Sequence, residues 1–233
     1  MALQRTRRER RSMDSRVAVI WDLDGVLVDS ASLHLAAWQA MAKERGLGFT
    51  ERDFYSTFGL RSPEIIRRVL GDLPQQQAQA MTRRKEQLFR ALVKDGYLHP
   101  FPGACSVVNA LAAKNVRQAV ATSAPRRNLV MVLDYVNLSG CFQALVSGED
   151  VSAGKPEPEV FLKAARRLGM SSEKCVVIED APDGVLAAKR AGMRALAVTS
   201  SHEAEELLHA DLVLESLEQL DLAWLLTDGS SAA

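Results

Sequence analysis

The chain has 233 residues, 47% of them hydrophobic, enough to bury a sizeable core in one medium domain or in a core with a smaller module. Lys plus Arg and Asp plus Glu each total 29, so the formal net charge is zero and no long-range field favours nucleic acid or an anionic membrane as partner. No apolar stretch approaches the roughly twenty residues that span a bilayer, and Cys105, Cys141 and Cys175 lack the close spacing of metal or redox motifs; the expectation is a soluble, cytoplasmic protein acting on small molecules.

Residues 1–16 carry six arginines (Arg5, Arg7, Arg8, Arg10, Arg11 and Arg16) and almost nothing that could enter a core. They read as a disordered basic tail, with a transit peptide or an RNA-binding arm as rival readings. From Val17 onward, short β-branched runs alternate with helical periodicity, the pattern of strand-helix-strand units on a parallel sheet. Val17 to Asp22 is the first strand. Almost a hundred residues without a convincing strand follow, too many for one crossover. Ser32 to Arg45, Ser62 to Leu70 and Gln75 to Val93 read instead as amphipathic helices, with turn or capping signals at Gly46-Leu47-Gly48, Ser62-Pro63 and Gly71-Asp72-Leu73-Pro74. This is a helical insertion whose ends fall near Asp29 and between Tyr97 and Gly103, where Pro100 and Pro102 would stiffen a two-segment hinge. Beyond it, strands are expected at Gln118 to Thr122, Cys175 to Glu179 and Arg194 to Val198, with weaker ones at Ala144 to Val146 and Leu212 to Leu214. Arg126 to Leu138 and Asp183 to Gly192 are expected helices. The resulting division is a tail at 1–16, a core at 17–29 and 101–227, and an insertion at 30–100.

In an open parallel sheet, ligands bind beyond the carboxyl ends of the strands. Asp22 ends the first strand, Thr122 and Ser123 the second, and Glu179 and Asp180 the third strong one, while Lys155 lies in the loop Ala153-Gly154-Lys155-Pro156-Glu157-Pro158 between them. Carboxylates gathered in this way repel one another unless a cation joins them. Magnesium takes oxygen ligands, which fits Asp22 and Asp180 with Glu179 nearby. Lys155 and Thr122 would then hold phosphate oxygens. The Asp-x-Asp spacing places Asp22 to attack phosphorus as a nucleophile and Asp24 to serve the leaving oxygen as general acid and base. Gly25 lets the backbone turn away. A calcium loop is a poor alternative, because Val26 occupies a ligand position and a strand precedes the motif.

These residues resemble the haloacid dehalogenase superfamily, most closely its branch of beta-phosphoglucomutases and small sugar-phosphate phosphatases, over Val17 to about Leu217. Asp22-Leu23-Asp24-Gly25-Val26 looks like the first motif, Thr122 the second, Lys155 in Gly-Lys-Pro-Glu-Pro the third, and Glu179-Asp180-Ala181-Pro182-Asp183-Gly184 the fourth. The resemblance implies an α/β fold with a Rossmann-like three-layer core, a parallel sheet and an inserted helical cap domain that closes over substrate. It also implies that the Asp24 backbone carbonyl joins Asp22 and Asp180 on Mg2+. In the cap, His34 in the His-x-x-x-Trp pattern with Trp38 would align Asp24, with Trp38 itself read as packing. Arg61 in Gly59-Leu60-Arg61-Ser62 resembles a cap arginine that grips a distal phosphate, although in mutases the arginine follows the serine and here Pro63 does. Lys85 looks like the cap lysine of the same branch. Ser123 opens the run Ser123-Ala124-Pro125-Arg126-Arg127-Asn128, where mutases carry a serine, lysine and asparagine that bind the distal phosphate; Pro125 breaks that pattern.

The first functional reading is therefore a magnesium-dependent phosphatase acting on a small phosphorylated sugar or related metabolite. The runner-up is a beta-phosphoglucomutase interconverting beta-glucose 1-phosphate and 6-phosphate, which needs two phosphate sites. A catalytically silent binding or regulatory protein is the rival from another class. Phosphonatase chemistry would need a cap lysine, for which Lys43 is a nominal candidate.

Overall fold

The computed structural model describes residues 17–227; the arginine-rich segment read as a disordered tail lies outside the described residues. Six strands form one parallel sheet: β1 (Ala18–Trp21), β4 (Arg117–Ala121), β5 (Ala144–Val146), β6 (Cys175–Glu179), β7 (Arg194–Val198) and β8 (Leu212–Leu214), in the order β5-β4-β1-β6-β7-β8. Each of the six expected strands is present, with ends shifted by no more than one residue. The central strand β1 is buried along its whole length, which is why it reads as a continuous apolar run rather than an alternating one.

Alternation along β1 builds the three layers. Val19 and Trp21 face one cluster, with Val107, Val108 and Leu111 of α5 (Ala104–Ala113) and Leu129, Val132 and Leu133 of α6 (Arg126–Tyr135). Ala18 and Ile20 face the other, with Val160, Phe161 and Ala164 of α7 (Glu159–Leu168) and Val185 and Ala187 of α8 (Pro182–Arg190). Alanines dominate the sheet's side of this second layer, so its helices approach closely. Helix α6 stops before its expected end at Leu138, because Asn137 adopts a left-handed conformation at φ 59°. Helix α8 starts at Pro182, one residue early, where a proline at the first helical position costs no hydrogen bond.

Between β1 and β4 run α1 (Ala31–Lys43), α2 (Glu51–Tyr55), α3 (Ser62–Leu70) and α4 (Gln75–Lys94). These helices bury their own cluster, including Trp38, Met41, Phe54, Ile66 and Met81. Each fully buried side chain of this size contributes about 1.5–3 kcal/mol. Helix α2 was not expected, nor was a two-stranded antiparallel ribbon, β2 (Val28–Asp29) with β3 (His99–Pro100), which ties together the two ends of the helical insertion. We propose the division into a core at 17–29 and 101–227 and a helical cap at 30–100, supported by the separate cluster and by this ribbon. A short helix, α9 (Leu222–Leu226), closes the described chain. Among the described residues, no helix is long and apolar enough to cross a membrane, and the three cysteines are free thiols.

Candidate active site

The sheet delivers its polar residues at one end. The Asp22 amide donates to the Ile178 carbonyl at 2.9 Å and the Thr122 amide to the Val146 carbonyl at 3.0 Å, so each residue is fixed by the ladder it terminates. Glu179 is the last residue of β6 and Asp180 the next. Lys155 enters from the loop after β5, before a cis Lys155–Pro156 bond. Its ammonium donates to Asp22 Oδ1 at 2.6 Å and to Glu179 Oε1. Ligand atoms of Asp22, Glu179 and Asp180 lie within 4.8 Å of one another, and all three side chains are buried.

Three carboxylates against one ammonium leave an unbalanced negative charge out of water. Burial and the nearby Glu179 and Asp24 carboxylates push the Asp22 carboxyl up to about 7 against the pull of Lys155. Burial, with Glu179 and Asp22, holds Asp180 well above the ordinary range. Lys155 is raised: the two carboxylates on it outweigh the cost of burying its charge. Hard oxygen donors carrying excess charge suit a divalent cation such as Mg2+. The backbone leaves room for this arrangement only because residue 25 is glycine: at φ +88°, a Cβ there would sit 1.9 Å from Asp180 Oδ2. Lys155 takes only one Asp22 oxygen, and Ser201 donates to only one Asp180 oxygen. Glu179 is more committed. Lys155 takes one of its oxygens, and the other accepts the Asp180 and Ala181 amides at 2.9 and 3.1 Å. Asp22 and Asp180 are therefore the better-placed donors, while Glu179 orients Lys155. Gly184 approaches Glu179 so closely that an added Cβ would lie 2.0 Å from its carboxyl carbon.

Asp24 points away from this cluster toward the cap. Its Oδ1 accepts the Ser30 hydroxyl at 2.5 Å and lies 3.2 Å from His34 Nε2. His34, Ser30 and Lys85 together hold its carboxyl below the ordinary range despite burial. His34 is 8% exposed and stacks on Phe89 with ring centres 3.9 Å apart, so it is no solvent-facing helix residue. Lys85 Nζ lies 2.9 Å from His34 Nδ1 and 3.1 Å from Glu86 Oε1. Glu86 also accepts from Ser62 at 2.7 Å and from Asn128 of the core at 2.5 Å.

Asp22, Asp24, His34, Lys85, Thr122 and Ser123 thus face one cavity between cap and core, walled by Trp38, Phe54, Phe58 and Pro125. Trp38 both packs and lines the cavity. Arg61 is not among its lining residues. Its guanidinium pairs with Glu64 and donates to the Val151 and Ser152 carbonyls at 3.3 Å, bridging the cap to the core loop that carries Lys155. Arg126 is likewise turned away, to the Leu145 carbonyl. Lys43 is exposed at the last turn of α1 and does not line the cavity.

Ser62, Glu86 and Ser201 were not expected at this site. Lys85 and Glu86 fall on the apolar stripe that carries Met81, Phe89 and Val93, which is the sequence signal for buried charge. Ser201 follows β7, so the strand-end rule that picks out Asp22 and Thr122 reaches it too.

A buried carboxylate bonded to an ammonium, beside a compact oxygen-donor cluster at the ends of parallel strands, suits phosphoryl transfer. The haloacid dehalogenase-like hydrolase family model matches residues 17–192. The phosphorylated carbohydrates phosphatase of Thermotoga maritima is 32% identical over 203 residues, covering 84% of this chain and 92% of that protein. The beta-phosphoglucomutase of Bacillus subtilis is 32% identical over 218 residues, covering 89% and 93%. Among solved structures, a variant of CbbY from Rhodobacter sphaeroides in complex with xylulose-(1,5)bisphosphate superposes with a TM-score of 0.83 at 26% identity, covering 89% of this chain and 98% of that one. The chain belongs to the haloacid dehalogenase-like hydrolases.

Proposed function

We propose that this enzyme is a magnesium-dependent phosphatase of a small phosphorylated sugar or related metabolite, working through an aspartyl-phosphate on Asp22. The observation that carries this reading is the pairing of Asp22, bonded to Lys155 in the acid cluster, with Asp24 two residues on and bonded to the cap. Without substrate Asp24 is ionised against Ser30 and His34, so it takes up a proton as substrate binds; Asp22 then attacks phosphorus, the bond to the ester oxygen breaks, and that oxygen takes the proton from Asp24. Asp24, ionised again, then accepts a proton from the water that attacks phosphorus; the bond to Asp22 breaks and inorganic phosphate leaves. Lys155 and Thr122 hold the phosphoryl oxygens in both steps. Asp22 and Asp180, with the Asp24 carbonyl, would hold Mg2+, which supplies positive charge against the transferring group.

The cavity encloses only about 50 Å³, below the several hundred that ligand sites occupy, so the arrangement is a closed one. Substrate entry then requires the cap to swing on the β2–β3 ribbon. The free thiols are in keeping with a cytoplasmic location.

Similarity to the Bacillus subtilis relative favours the mutase as a second reading. Against it, Lys85 is the one Lys or Arg among the residues lining the cavity, and it is already paired with Glu86. Measuring phosphate release from a panel of sugar monophosphates, beside interconversion of beta-glucose 1-phosphate and 6-phosphate with bisphosphate activator, separates the two. Phosphate release without interconversion is expected; interconversion without release overturns the phosphatase reading.

A further inference from the structure

Glu86 is a carboxylate that the chemistry of phosphoryl transfer does not use, yet it is 4% exposed and lines the substrate cavity. Burying an ion is costly unless its oxygens are satisfied. They are: Ser62 and Lys85 donate to one oxygen and Asn128 to the other. Lys85 and the hydrogen bond from Ser62 hold the carboxyl below its ordinary range in spite of burial, so it is charged at neutral pH. Asn128 is itself fixed by Arg90, which donates to its carbonyl oxygen at 2.8 Å. The carboxylate is therefore braced from both the cap and the core and cannot swing out of the way.

Its position decides what kind of leaving group fits. The reacting phosphoryl group belongs at Asp22, Thr122 and Lys155. The rest of the substrate extends toward the cap, where it meets the rings of Trp38, Phe54 and Phe58 and the Lys85–Glu86 pair. Lys85 is spent twice over, on Glu86 and on His34, and the pair carries no net charge. A second anionic group on the substrate would face Glu86 with no uncommitted cation among the described lining residues. Like charges brought together at a buried site strongly disfavour a ligand.

We propose that Glu86 is a specificity-determining residue that restricts the enzyme to monophosphate esters whose leaving group is uncharged, and rejects esters bearing a second phosphate or a carboxylate. A neutral polyol gains from the same arrangement, since a hydroxyl can donate to the one lone pair left on the carboxylate, on the oxygen that accepts from Asn128, and its C–H faces lie on the aromatic wall. This inference rests on the phosphatase reading.

The test compares kcat/KM for sorbitol 6-phosphate and fructose 6-phosphate with that for fructose 1,6-bisphosphate and 6-phosphogluconate, in wild type and in Glu86→Gln. Wild type is expected to prefer the neutral pair by roughly tenfold or more, and Glu86→Gln to shrink that preference severalfold. Equal wild-type rates on both pairs overturn the inference, as does an unchanged preference in a folded Glu86→Gln. Should Glu86→Gln fail to fold, the wild-type ratio alone decides. If wild type cleaves none of the four, the phosphatase reading fails, and the charge rule is then read from ligand-induced thermal shifts. Stabilisation by the monophosphates but not by fructose 1,6-bisphosphate supports it; equal stabilisation overturns it.

Discussion

Replacing Gly25 by alanine tests the metal site without substituting a proposed ligand. The new Cβ would lie 1.9 Å from Asp180 Oδ2, whereas ordinary contact begins at 3.4 Å, so the carboxylate must retreat by about 1.5 Å. Mg2+ demands oxygens at about 2.0–2.1 Å and tolerates departures of about 0.2 Å, so a retreat of that size removes the ligand. Misplacing a group that fixes a metal ligand typically costs 10–100-fold in affinity, and the loss here should fall at or above that range. The substitution also forces a side chain to adopt φ +88°, costing about 1–2 kcal/mol of folding stability. Gly46→Ala separates the two effects: φ there is +66°, but a Cβ meets nothing within 4 Å, so it should lose a similar stability and keep its Mg2+ affinity. Calorimetric titration of Mg2+ into the two variants and wild type provides the measurement. A Gly25→Ala protein that binds Mg2+ within about twofold of wild type would refute the placement of Asp180 on the metal.

Two further outcomes follow from the same cluster. Because the folded state raises Asp22 from the ordinary carboxylate value to about 7, its contribution to stability is full below about pH 4 and is lost as pH rises through 7. A cation that neutralises the cluster restores what is lost, so the melting-temperature gain from Mg2+ should be larger at pH 8 than at pH 5; an equal or smaller gain at pH 8 would contradict this. Lys155→Met leaves Asp22 and Glu179 buried side by side without their counter-ion, which should cost about 3–5 kcal/mol in urea unfolding without metal and abolish turnover. A variant with an unchanged urea midpoint would show that the ammonium does not balance these carboxylates.

The sheet was legible because buried parallel strands are written as apolar runs, and Val17 to Asp22 and Cys175 to Glu179 are such runs with their polar residues at the end. The helices between were legible from their apolar spacing. The β2–β3 ribbon was not: each strand is two residues long, both residues of β3 are exposed and one is a proline, and pairing Asp29 with His99 is a long-range backbone event with no local pattern. At the site, residues that end strands declared themselves by position, whereas in the cap His34 and Lys85 were reached only through the family resemblance. Arg61 looks like a phosphate ligand by type, but its hydrogen bonds with Glu64 at the start of α3 take the guanidinium elsewhere. Glu86 sat unnoticed beside Lys85, since a Lys-Glu pair on a helix ordinarily faces solvent and only the packing of α4 against α1 and the core turns it inward.

The most direct test of the central claim is to look for the covalent intermediate. Wild-type protein mixed with Mg2+ and a hydrolysable sugar monophosphate, quenched in acid during turnover and digested, should carry one phosphoryl group on the peptide containing Asp22, and Asp22→Asn should carry none and turn over no substrate. Steady phosphate release with no label at Asp22, or near-normal turnover by Asp22→Asn, would contradict the assignment of Asp22 as the nucleophile.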